Sequence, residues 1–379
     1  MRIRMKKLLV LLVILQVFCF SAVAADTDKL MQQQLQQSGA NKLSQTVPQQ
    51  AKNSLNKLQI NNADPNSISK FTPAGMFSIF VQSAKDAAQR PFKSLALIVG
   101  VLLIYALLNT LKTSLGEKPL KNVFDTICML CISAAVIVPI SQTISYCAQT
   151  IKTSGLFTLS FLPVFTGLVA VSGHPASATL YQGLLLFVCN IIIQLAETTF
   201  VPMVSIYLAF CVIGSVSPGV NISGLASFAK SFVFWGLGLC ITVFVGILTI
   251  QSMVSNAADT VTMKTAKFMV GSFVPVIGSA IGDALNTVVG CANLLKTATG
   301  AYAIIVFILA YLPPILECII WILVIEIAVA IAEILSIGGM QKFLKAIKEA
   351  LSIMIALVLT CSLALIISTT IMITLSGGS

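Results

Sequence analysis

Five carboxylates in this sequence lie where an ionised group is unstable. Glu197, Asp283, Glu317, Glu326 and Glu333 fall within or at the ends of long apolar runs. A charge placed in hydrocarbon costs several kcal/mol unless it is neutralised, paired or in contact with water. Such groups can line a hydrated path or bind a partner across a helix seam. Glu326 and Glu333 are seven residues apart, so a helix puts them on one face. Glu197 and Glu333 also read as markers of helix ends. That leaves Asp283, Glu317 and Glu326 as the intramembrane polar candidates. No other group completes a reaction centre. The single histidine, His174, sits in SGHPAS between two apolar runs, so no histidine-based triad or metal cluster can form. Cys128 and Cys131 make a CxxC inside TICMLCISAAVIV with no second pair nearby, and they read as buried thiols. There is no GxxxxGK loop for a nucleotide phosphate. We therefore expect no catalytic residues, no cofactor and no metal, and a protein that is not an enzyme.

The elements that hold these acids are set by composition. Of 379 residues, 57% are hydrophobic and 9% charged, with a mean hydropathy of +0.97. Soluble domains carry about 25% charged residues. The expected fold class is an all-α polytopic membrane protein with about seven to nine transmembrane or re-entrant helices, following a cleaved signal peptide. The formal net charge of +10 is first a topology signal. No basic cluster is dense or aromatic enough for nucleic acid. Most of the ten cysteines, including Cys189, Cys211, Cys240 and Cys361, fall in apolar runs as small hydrophobes.

Residues 1–24 have the form of a secretory signal peptide. Arg2, Arg4, Lys6 and Lys7 precede an apolar core from Leu8 to Phe20, and Ala22-Val23-Ala24 fits the cleavage rule. Residues 25–90 form a polar, Gln-rich extracytoplasmic segment with no aromatic residue before Phe71. It offers too little apolar area for a packed core, so short helices or a flexible tether are expected. The segment ends in an amphipathic helix from Pro73, with Met76, Phe77, Phe80 and Val81 on its apolar side. That helix either lies on the membrane surface or binds a partner. Residues 91–253 read as a first membrane bundle of about six spans: Ser94–Leu111, Phe124–Tyr146, Leu156–Val171, Ala178–Leu195, Phe200–Val216 and Ser231–Met253. With the N-terminus outside, Lys112, Lys118 and Lys121 fall in the cytoplasm, as the positive-inside rule prefers. Residues 301–379 hold the nearly unbroken apolar run Ala301–Leu335, a basic amphipathic turn carrying Lys342, Lys345 and Lys348, and a last span. The Ala301–Leu335 run is either a tight hairpin of two short spans or one span with a long continuation.

Between these blocks, residues 254–300 are built largely from small residues and broken at Pro275. The apolar run Phe268–Ile281 is short for a span, so a broken or re-entrant helix is expected. Gly278, Gly282, Asn286 and Gly290 recur every fourth residue and form one stripe, with Asp283 and Asn293 beside it. Gly278 and Gly282 permit close helix packing, whereas the polar members suit a conduit wall. Both readings remain open for this stripe.

The stretch SNAADTVTMKTAKFMVGSFVPVIGSAIGDALNTVVG, residues 255–290, carries a family resemblance. With the signal peptide, the polar segment, the spans and the hydrophobic C-terminal third, it resembles the stage III sporulation protein AE family of endospore-forming bacteria. The resemblance covers most of the chain after about residue 75, and none of it transfers onto the Gln-rich segment. It implies a non-enzymatic membrane component of a channel-like, secretion-like complex that acts after engulfment. It also implies residence in the mother-cell-derived membrane around the forespore, and as partners the other proteins of the same operon and the forespore protein SpoIIQ. Contact with membrane lipid and a homo-oligomer are expected, and nucleic acid is not. The alternative is a stand-alone secondary transporter of an ion or small solute, using Asp283 and the intramembrane glutamates. Paired broken helices would favour that class, and only the Pro275 break is evident. If the stripe is a close-packed seam, Gly282→Leu leaves the protein in the membrane but abolishes complex assembly and spore formation. Normal spore yield from that variant would remove the packing role.

Overall fold

A chain this apolar has few ways to satisfy its backbone, because hydrocarbon offers no partner to a free N–H or C=O. The computed structural model describes residues 30–115, 118–216, 223–273, 278–335 and 338–374. Side chains are described for these residues apart from 108–126, 128, 215–223, 251–286 and 338. The expected signal peptide, residues 1–24, lies outside them. Every regular element among the described residues is a helix. A short N-terminal group comprises α1 (30–38), a 3₁₀ turn (Ala40–Lys42), α2 (Leu43–Thr46), α3 (Gln49–Lys57) and α4 (Pro65–Ile68). The rest is α5 (Pro73–Leu115), α6 (Lys118–Val171), α7 (Pro175–Leu195), α8 (Val201–Val216), α9 (Ser223–Phe273), α10 (Gly278–Ile334) and α11 (Gly338–Thr374).

The long helices differ in extent from the spans expected. Phe124–Tyr146 and Leu156–Val171 are parts of one 54-residue helix, α6. The intervening CAQTIKTSG is polar but contains no proline, and its threonines donate to carbonyls one turn back: Thr150 to Tyr146 at 3.0 Å and Thr153 to Gln149 at 2.9 Å. Likewise α7 and α8 run on through a π turn, Ala196–Phe200. The polar helix at Pro73 and the first span are one 43-residue helix that continues through Pro91. Ala301–Leu335 is not a hairpin: α10 carries Pro313 and Pro314 inside a single helix of 57 residues. At 1.5 Å per residue that helix is about 85 Å long, well beyond the hydrocarbon thickness. Among the described residues, six helices are long and apolar enough to cross a membrane.

Turns between them follow local rules. Gly173 takes a left-handed φ of 98° after α6. His174 N–H then reaches back to the Val169 carbonyl at 3.2 Å, which is the hydrogen-bonding pattern of a Schellman cap. Pro175 starts α7, where its missing N–H costs nothing.

The core is organised around α10, which packs against α5, α6, α11 and the N-terminal helices. Tyr302, Phe307, Tyr311 and Trp321 are all buried. Phe307 meets Phe157 of α6 edge-on, with centroids 5.5 Å apart, and Cys318 lies 3.6 Å from Cys147, sulfur to sulfur. These pairs make α6 and α10 antiparallel neighbours. At Gly300 a Cβ would sit 2.5 Å from Ile373 of α11 and 3.1 Å from Phe165 of α6. The missing side chain sets how closely the three helices approach.

The Gln-rich segment is not a tether. Its small apolar set, Leu43, Ala51, Leu55, Ile60 and Ala63, is buried against α6 and α10. Gln34 donates to the Val288 carbonyl at 3.3 Å, Gln50 to Thr150 at 3.4 Å and Thr299 to the Ala63 carbonyl at 3.5 Å. A few apolar residues suffice here because the long helices supply the other side of the core. Gly300→Leu has to displace both Ile373 and Phe165, and overpacking of this kind costs about 1–3 kcal/mol. It is expected to lower the thermal midpoint in lipid nanodiscs. Gly290→Ala, with no atom within 4 Å of the added carbon, is expected to be neutral or to raise the midpoint by restoring helix propensity.

Candidate functional site

Where α3, α5, α6 and α10 converge, a polar cleft of about 460 Å³ opens. Its geometry starts from Glu317. The Pro313-Pro314 pair sits one turn earlier in α10, and Glu317 projects into the cleft with only 8% of its surface exposed. Thr143 of α6, itself fully buried, donates to Glu317 Oε1 at 2.8 Å. No lysine or arginine forms an ion pair with Glu317 among the described residues. Tyr146 lines the cleft one turn along α6 from Thr143. The opposite walls are polar. On α3, Gln50 and Asn53 precede Lys57, and on α5, Gln82 and Asp86 precede Arg90. Gln82 donates to Asp86 Oδ1 at 2.9 Å. Pro91 cannot supply the N–H that would reach the Ala87 carbonyl, and Ala87 also lines the cleft.

A second polar group ties α10 to its neighbours. Glu326 pairs with Lys348, and Glu333 pairs with Lys345 at 3.0 Å, both across the α10–α11 hairpin. Glu349 of α11 accepts from Lys230 of α9 at 3.2 Å and from Tyr207 of α8 at 2.9 Å. These side chains are about half exposed, so the pairs fix register more than they stabilise. Glu326, a conduit candidate from sequence, is thus a partner of α11 in this structure, and Glu317 is the acid at the cleft. Glu197 lies in the π turn, at a smaller pocket shared with Lys152 and Gln194.

The stripe from Gly278 to Asn293 lies on one helix, α10. Pro275 lies outside the described residues. Gly278, Gly282, Asp283 and Asn286 belong to the first turns of α10, with side chains outside those described. Gly290 is exposed, and a Cβ there would meet nothing within 4 Å. Asn293 accepts from the ammonium of Lys296 at 3.2 Å. Lys296 is only 2% exposed and did not stand out in the sequence. Its one available signal was the spacing of three from Asn293. Gln50, Tyr146, Lys57 and Arg90 were missed too, because they come from three separate helices and only packing unites them. Among the described residues no group of His, Cys, Asp and Glu could hold a metal ion.

Six long apolar helices, with charged groups paired or gathered at a polar cleft, define an all-α multi-pass membrane protein. The sequence model of stage III sporulation protein AE matches residues 61–376, and the chain belongs to that family. It is similar to the stage III sporulation protein AE of Bacillus subtilis (strain 168), with 23% identity over 282 residues, covering 74% of this chain and 71% of that protein. No solved structure matches the chain. It is therefore a sporulation membrane protein.

The buried carboxylate yields a direct test of the site. Thr143→Val keeps the shape but removes the donor to Glu317. Leaving a buried charged acceptor less satisfied costs about 1–3 kcal/mol, so this variant is expected to melt measurably lower in nanodiscs. Thr242→Val removes an exposed hydroxyl that bonds only within its own helix, to the Gly238 carbonyl at 2.8 Å, and is expected to be near neutral. Equal midpoints for the two variants would contradict the bond to Glu317.

Proposed function

We propose that this protein is a non-enzymatic membrane subunit of a channel-like or secretion-like sporulation complex joining mother cell and forespore. In this reading it sits in the mother-cell-derived membrane around the forespore and works with the other proteins of its operon, with SpoIIQ as the partner on the forespore side. The observation that carries the reading is family membership over residues 61–376 of a chain with six membrane-length helices. The N-terminal helices face the space outside the mother-cell cytoplasm. Alternating crossings by six helices are consistent with that orientation. They bring Lys112, Lys118 and Lys121 to the same side as Lys342, Lys345 and Lys348, as the positive-inside rule prefers. The long helices extend past the bilayer, and the N-terminal helices packed on α6 and α10 form a folded surface for partner proteins. The chain assembles as a homo-oligomer within the complex.

A second reading, a stand-alone transporter, has one observation in its favour: the polar cleft reaches a buried carboxylate in a membrane-length helix. One experiment separates the two. Affinity-tagged protein purified from sporulating cells is expected to bring the other sporulation membrane proteins with it, at fixed ratio and in several copies. Protein that purifies alone and moves solute in liposomes without partners would replace the first reading with the second.

A further inference from the structure

We propose that the cleft between α3, α5, α6 and α10 binds a zwitterion of the amino-acid or short-peptide class, ammonium inward and carboxylate outward. The inner end is Glu317. It is more than nine-tenths buried, accepts one hydrogen bond from the neutral Thr143 hydroxyl, and has no cationic partner among the described residues. A buried carboxylate without a counter-charge is costly, and an ammonium group supplies that charge with its three donors. Tyr146 adds a hydroxyl on the same wall.

The outer end is basic. Lys57 and Arg90 line the cleft from α3 and α5, and neither forms an ion pair among the described residues. Asp86, the other acid there, is already engaged by the Gln82 amide. Two cations and two carboxylates therefore line one space, Asp86 on α5 with Arg90 and Glu317 by itself on α10, with no ion pair among them in the described residues. A ligand with opposite charges at its two ends bridges them. Between the ends, amides suit the middle of a peptide: Asn53 and Gln50 are on α3, and the Gln50 side-chain oxygen is buried without a hydrogen-bond partner among the described residues. The volume of about 460 Å³ falls within the range of small-molecule sites. A purely anionic ligand would meet Glu317, and a purely cationic one would meet Lys57 and Arg90, so charge of both signs is selected.

The test uses full-length protein in lipid nanodiscs and equilibrium dialysis of radiolabelled tri-alanine. Saturable binding is expected. N-acetylated tri-alanine and tri-alanine amide should each compete at least tenfold more weakly than the free peptide, because each lacks one charge. Unlabelled alanine competing as well as tri-alanine would identify free amino acids as the source, and weaker competition would identify chain termini. Glu317→Gln should weaken tri-alanine at least tenfold and abolish the penalty for N-acetylation. Ser83→Trp, which fills the cleft from α5, should abolish binding and covers the case in which the Glu317 variant fails to fold. Absence of tri-alanine binding, blocked peptides that compete as well as the free one, or unchanged binding in Ser83→Trp would each overturn the proposal. None of these measurements depends on a partner protein, so the outcome is independent of the sporulation-complex reading.

Discussion

Burial of the broad aromatic and small-residue face of α10 is the constraint from which the rest of the structure follows. A helix of 57 residues that leaves Leu294, Leu323 and Ile327 exposed but buries Tyr302, Phe307, Tyr311 and Trp321 along one broad face needs neighbours over most of that face. Helices α6 and α11 supply them as antiparallel partners, α5 flanks the middle, and the N-terminal helices pack against it as well. In membrane bundles such packing rests on close approach and dispersion rather than on expelling water. That is why Gly300 matters: its missing Cβ lets Ile373 and Phe165 reach the α10 backbone. The N-terminal segment then becomes intelligible. Five buried apolar residues could not hold an independent domain together, but they are enough to finish a surface that α6 and α10 have already built.

The same burial dictates how polar groups are treated. Buried threonines of α6 bond back to carbonyls in their own helix, as Thr158 does to Ser154 at 2.8 Å and Thr166 to Leu162 at 2.9 Å. Those groups need no partner elsewhere and read as packing. Glu326, Glu333 and Glu349 find lysines on adjacent helices. Glu317 breaks the pattern, with a neutral donor on one oxygen and a solvent-reaching cleft in front of it. Beside three glutamates that are paired with lysines, a buried acid left open in this way is best understood through what it can bind.

Much of the architecture was legible in the sequence, and the reason is physical. A 57% hydrophobic chain with charge confined to short segments can only be a helical membrane protein or a barrel, and its apolar runs are too long and continuous for barrel strands. Helix continuity was not legible. The polar CAQTIKTSG interval looks like a loop to any hydropathy reading, but it stays helical because nothing in it breaks a helix and its threonines satisfy themselves. Pro313-Pro314 looks like a turn, yet proline is tolerated inside a membrane helix packed against neighbouring helices. The site was half visible. Glu317 stood out as an acid in hydrocarbon, whereas its surroundings come from residues 50–57, 82–90 and 143–146, a convergence that no periodicity encodes.

The Gly278–Asn293 stripe and the cleft occupy different parts of α10. Asp283 and Asn286 belong to its first turns, and Glu317 comes about nine helical turns later. One helix therefore carries the Gly/Asn stripe at one end and the buried Glu317 toward the other. The N-terminal helices touch α10 between the two, through Gln34 at Val288, Ala63 at Thr299 and the cleft wall of α3. Any partner that shifts α3 must change the shape of the space in front of Glu317, because both form its walls. Coupling of that kind needs no long-range pathway. It requires only that α3 and the buried carboxylate share one cavity, and here they do.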